Sequence, residues 1–206
     1  MAPQSNSPPP PDSTPAKGPW LWVALGCGGC LVLSTAALVA LVLLIGRTVQ
    51  FAVGPDGVKT DQAPFTFTIP GESEGVMDMT MFGMQIIQVT STDTPPSVLL
   101  TMGRLPSYLQ SSADQSSFIE SFQEGMVGDE TYQFSLPTIE ERPLCDTTVA
   151  AIVQTGEYQA DQAIYAVTSL MATVDYNRRT QFVWILAHGD SAAANVDQVF
   201  DSLECQ

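Results

Sequence analysis

Residues 20–45 read WLWVALGCGGCLVLSTAALVALVLLI, from Trp20 to Ile45, with no charged side chain. At about 1.5 Å of rise per residue this run makes roughly 39 Å of helix, more than the ~30 Å hydrocarbon core of a bilayer. It predicts one transmembrane helix over 20–45. The chain is thereby divided into a tail (1–19), the span, a juxtamembrane linker (46–62) and one domain (63–206). Trp20 and Trp22 suit the aromatic belt at one interface. Cys27 and Cys30 have C-x-x-C spacing, but a thiolate inside an apolar span is costly. With Gly26, Gly28 and Gly29 they read better as a small-residue face for helix packing. The long proline-rich lead and the length of the apolar run argue for a retained span over a cleaved signal peptide.

The tail holds Pro8-Pro9-Pro10-Pro11 together with Pro3, Pro15 and Pro19, several Ser and Thr, and no aliphatic cluster. That composition predicts a disordered segment with a polyproline bias. The chain carries a formal charge of −15, and every acid except Asp12 lies beyond Arg47, against Lys59, Arg104, Arg142, Arg178 and Arg179. Such a field repels phosphate backbones and anionic headgroups, so no nucleic-acid partner is expected.

Sidedness follows from two features of the domain. It is acidic and poor in lysine, and it holds just Cys145 and Cys205, a pair that would bridge on the oxidising side of a membrane. The expected location is a cell membrane crossed once, with the N-terminus cytoplasmic and the C-terminal domain extracytoplasmic. The positive-inside rule adds little, because cations are sparse on both flanks.

Within the domain, Phe65, Phe67 and Ile69 alternate with Thr66 and Thr68, which predicts a half-buried strand stopped at Pro70-Gly71. Met77, Met79 and Met81 alternate in the same way, and Met84–Thr90 and Ser97–Met102 read as strands. From Ser112 the period becomes helical: Phe118, Ile119, Phe122 and Met126 predict an amphipathic helix of about 14 residues. Strands resume over Thr131–Leu136, Thr147–Thr155, Gln162–Thr173 and Thr180–His188. Ser191 is placed to cap a last helix carrying Val196, Phe200 and Leu203. The fold class expected is α+β: an antiparallel sheet of about six strands with flanking helices.

The opening Phe65-Thr-Phe-Thr-Ile-Pro70-Gly71, the central helix, Gly156-Glu157-Tyr158, the strand Ile164–Thr168 and the closing Val196-x-x-Val199-Phe200-x-Ser202-Leu203 together resemble the PsbP-like superfamily. The resemblance spans about residues 60–205. It includes a photosystem extrinsic subunit and small bacterial envelope lipoproteins among its members, and implies a fold and a habit of binding proteins or ligands. It carries over no catalytic residue.

The inventory for chemistry is thin. His188 is the sole histidine, no G-x-S-x-G elbow is present, and no glycine loop is followed by Lys-Ser/Thr. Glu140-Glu141 and Asp129-Glu130 are adjacent acids, which a strand sends to opposite faces. The domain is therefore read as a non-catalytic binding or accessory module without a cofactor, meeting a protein partner at the membrane. Tyr158, Tyr176, Arg178 and Arg179 are the residues suggested for that contact. The alternative is an envelope protein binding metal (copper or calcium) or a small ligand, with Met77, Met79, Met81 and Met84 as soft thioether ligands for Cu(I). The same spacing also suits a buried strand face.

Overall fold

The structure, a computed structural model, describes residues 49–54, 58–106, 117, 121, 125, 131–160 and 163–206. The polyproline tail, the 20–45 span and most of the helix expected after Ser112 lie outside them. Of that helix only Ser117, Ser121 and Gly125 are described, and they are helical and exposed. Among the described residues no helix is long and apolar enough to cross a membrane.

Thr180–His188 is nearly continuously apolar, the pattern of a strand covered on both faces. It lies within β10 (Arg179–His188), between β5 (Val98–Arg104) and β9 (Ala163–Tyr176). Among the described residues the sheet has nine antiparallel strands, eight of them in the order β1 (Val49–Val53), β3 (Ser73–Met81), β4 (Met84–Ser91), β5, β10, β9, β8 (Thr147–Ala160), β6 (Tyr132–Phe134). The ninth strand, β7 (Thr138–Leu144), follows β6 along the outer edge of β8. The expectation of about six strands with flanking helices is thus corrected to a nine-stranded sheet with one described α-helix of any length, α1 (Ala192–Asp201). Two strands account for part of the difference. β1 falls in the stretch read as linker, which also contains a 3-10 turn at Thr60–Gln62, and β7 is a charged, largely exposed edge strand carrying Pro143. A proline without an N–H is tolerated at such an edge.

Period-two alternation sorts the side chains of the central strands into two cores. Val183, Ile185 and Ala187 join Leu100, Leu170 and Ala172 on one face, where Val196, Val199, Phe200 and Leu203 of the α1 region cover them. Burying each Val, Leu, Ile or Phe side chain among them contributes roughly 1.5–3 kcal/mol. Phe182, Trp184 and Leu186 point the other way and pack with Ile86, Val167 and Met171. The indole N–H of Trp184 donates to Ser169 Oγ at 2.8 Å, so its one polar atom is satisfied inside the second core.

At the α1 start, Ser191 occupies the cap position but its side chain makes no capping bond, contrary to expectation. Backbone bonds close the turn instead, from Ala192 N–H to the Gly189 carbonyl (3.0 Å) and from Asn195 N–H to the Ser191 carbonyl (2.8 Å). After α1 the chain pairs β11 (Glu204–Cys205) with β2 (Phe65–Thr66), and Cys205 is bonded to Cys145 across 60 residues. The bridge ties the C-terminal strand to the β7–β8 turn, with the two Cα atoms 5.4 Å apart.

Candidate functional site

His188 ends β10 and is 7% exposed. Its Nδ1 lies 2.7 Å from the Pro96 carbonyl oxygen, an acceptor only, so Nδ1 carries the proton and donates. Nε2 is then free to accept from the Tyr132 hydroxyl at 3.0 Å. Burial pushes the imidazole below its ordinary value of 6.5, and the bond to the Pro96 carbonyl offsets this only in part.

Around the ring stand Tyr158 (centroids 5.0 Å apart) and Tyr132 (5.9 Å). Tyr132 in turn stacks on Tyr158 at 4.5 Å and lies nearly parallel to Phe134. The register explains the gathering: Tyr132 opposes Tyr158, and Tyr158 opposes Tyr165. Gly156 has a reason in the same pairing, because a Cβ there would strike the backbone carbonyl of Gln133. Of these residues the sequence singles out Tyr158 for contact and His188 as the sole histidine, without joining them. The cross-strand partners required a strand pairing that the sequence does not display, and the Gly156-Glu157-Tyr158 segment was the one usable signal.

Tyr176, Arg178 and Arg179 are not brought to Tyr158. Tyr165, the partner of Tyr158, is eleven residues along β9 from Tyr176, which at ~3.3 Å per residue is about 36 Å. The suggested contact set is therefore two sites at opposite ends of the sheet. At the second end, Asn177 and Arg178 form the β9–β10 turn with φ of 51° and 62°, and Arg178 and Arg179 are exposed. Arg104, at the same end, donates to Gln85 Oε1 (2.6 Å) and to the Gln62 carbonyl (3.1 Å). Its pKa is lowered by burial and by the nearby charge of Arg179.

Met77, Met79, Met81 and Met84 are all half-buried, and the pairing of Met79 with Ile86 and of Met81 with Met84 puts them on one face of the sheet. Met77, Met79 and Met84 pack against the second core. Met102 is buried in the first core, on the opposite face, and cannot join them. Among the described residues no group of His, Cys, Asp and Glu gathers as a metal site.

Among the described residues, two clefts lie beside β1 and β3. One of about 580 Å³ is lined by Asp61, Phe67, Glu74 and Gln206 among others, and a smaller one of about 260 Å³ is lined by Phe51, Lys59, Asp78 and Gln85. Of the adjacent acids, Asp129 and Glu130 lie outside the described residues, while Glu140 accepts from Arg142, which also binds Asp197 of α1 at 2.6 Å. These bonds raise the Arg142 pKa against the effect of burial, and its guanidinium lies 5.8 Å from the Phe200 ring centre.

No family model matches the chain, and no curated protein matches it. Among solved structures it is similar to LpqN of Mycobacterium tuberculosis, described as involved in cell envelope biogenesis, with 9% identity, a TM-score of 0.41, and coverage of 76% of this chain and 90% of that one. A weak structural neighbour is thus a mycobacterial cell-envelope protein, and likeness at this level assigns neither a family nor an activity.

Proposed function

We propose that this chain is a membrane-tethered extracytoplasmic domain that acts by binding, as an accessory to another envelope component, and not by catalysis. The observation that supports it most is the Cys145–Cys205 bridge, a covalent lock suited to the oxidising side of a membrane. It accompanies an uncharged run that is long enough to span.

The interior agrees with a binding role. The one histidine spends both ring nitrogens on Tyr132 and Pro96. Large apolar side chains instead stand exposed at strand edges and turns, as at Phe51, Phe82, Leu136, Ile139 and Ile164. A tether concentrates such a surface beside membrane partners. Kinship with the PsbP-like superfamily through the quoted segments is part of the proposal only as a habit of binding other molecules.

The test is photocrosslinking of the full chain in its native membrane, with the photoreactive residue at Ile139 or at Ile164. A discrete crosslinked membrane component, lost when Ile139 or Ile164 is replaced by Asp, is expected. Absence of any crosslink from both positions, together with turnover of a substrate by the purified chain, would overturn the reading.

A further inference from the structure

We infer that the end of the sheet bearing Phe82, Arg178 and Arg179 is a docking surface for anionic lipid headgroups. The inference rests on the reading of residues 20–45 as a membrane span.

Strand register brings these residues to one end. Val49, the first residue of β1, opposes Met81, so the Phe82-Gly83 turn lies beside the point where β1 begins. Gln85 opposes Arg104, and Arg104 opposes Gln181, which sets the start of β10 and the Asn177-Arg178 turn at that same end. From the β3–β4 turn to the β9–β10 turn is about three strand spacings of ~4.8 Å, or roughly 14 Å, the width of a few headgroups.

Chain length supplies the occupant. Only Gly46, Arg47 and Thr48 separate Ile45 from Val49. The four Cα–Cα steps from Ile45 to Val49 reach at most about 14 Å even when fully extended. With the span inserted, lipid headgroups are therefore within tether reach of the strand end at which β1 begins.

Its chemistry suits an interface. Phe82 is 59% exposed and held at φ 50°, a conformation that a bulky residue adopts at a cost. A turn of this kind favours Asn or Gly, so an aromatic ring held out to solvent there asks for an apolar neighbour. Tyr176, opposite Arg179, adds a second amphipathic ring.

Local charge at this end departs from the overall acidic field. The chain carries −15 in all, yet Arg178 and Arg179 are exposed, and among the described residues the ion pairs all belong to Arg142. Asp175, at this same end, accepts from Thr180 Oγ1 and reduces the local positive field without pairing either arginine. Two unpaired arginines beside an exposed aromatic match phosphate oxygens above acyl chains.

The test is amide exchange of the full chain in nanodiscs of phosphatidylcholine alone or of equal parts phosphatidylcholine and phosphatidylglycerol. Slowing by about fivefold or more is expected at residues 80–85 and 176–180 in the anionic discs only, the scale of one arginine near an anionic surface. The Arg178→Gln/Arg179→Gln pair should abolish the slowing while exchange over Phe182–Leu186 and in α1 stays unchanged, which shows that the variant is folded. Equal exchange in both lipids with the chain inserted would overturn this inference and leave the span standing. Failure to insert into either disc would overturn the span and the inference with it. Slowing in native membranes but not in lipid discs would assign the surface to a protein and overturn the lipid assignment.

Discussion

The Tyr132 hydroxyl lies 3.0 Å from His188 Nε2, and this bond fixes the neutral imidazole in a nearly sealed site between β6 and the end of β10. A folded-state pKa below 6.5 means that the unfolded chain binds the proton more readily. Stability should therefore be complete above about pH 6.5 and fall as pH drops toward the depressed folded value. Urea unfolding between pH 5 and 7.5 should show this slope. His188→Gln should flatten that part of the profile, and a profile unchanged by the substitution would count against the assigned protonation state.

Tyr132→Phe removes the hydroxyl and leaves Nε2 buried without a partner. A loss of about 1–2 kcal/mol is expected in urea unfolding, while the ring stacking on Tyr158 is retained.

Reduction of the Cys145–Cys205 bridge opens a loop of 60 residues. On the chain-entropy account the domain should lose about 4 kcal/mol, and Cys205→Ser should give a similar decrease. Denaturant titration with and without reductant measures it.

Phe200 and Arg142 test packing against charge at one spot. Phe200 is 1% exposed at the helix–sheet interface, so Phe200→Ala should cost about 3–5 kcal/mol. Arg142 pairs with Glu140 and Asp197, whose side chains are about half exposed, and Arg142→Met should cost under about 1 kcal/mol. Calorimetric melting of the two variants compares them directly.

Met79→Leu keeps the volume of a half-buried strand residue and should leave stability within about 1.5 kcal/mol. If the four methionines serve packing, Cu(I) should shift the melting temperature of neither the wild type nor the variant. A shift in the wild type that Met79→Leu abolishes would instead establish the thioether site.

The sequence conveyed the central strands well, because Phe182-Val183-Trp184-Ile185-Leu186 is too short for a span and too rich in branched and aromatic residues for much else. Edges were harder to recognise. β7 reads Thr-Ile-Glu-Glu-Arg-Pro-Leu, and its charges and proline serve to block edge pairing, the very features that make a strand look like loop. Turns were obscured for a related reason. Phe82-Gly83, Cys145-Asp146 and Asn177-Arg178 each place two residues at positive φ, where Gly83, Asp146 and Asn177 are favoured types and Phe82, Cys145 and Arg178 are not. Residue type alone groups Tyr158 and Tyr176 with Arg178 and Arg179, because aromatic and Arg side chains are favoured at interface centres. Fourteen-residue strands put them at opposite ends, a separation set by strand length and invisible to local pattern.

Thiol trapping in intact cells, with a membrane-impermeant alkylating reagent applied before and after an impermeant reductant, tests most directly whether the domain is a locked extracytoplasmic module. Cys145 and Cys205 should resist alkylation at first and react once reduced from outside. Immediate labelling of both only after lysis, with no effect of the external reductant, would contradict it.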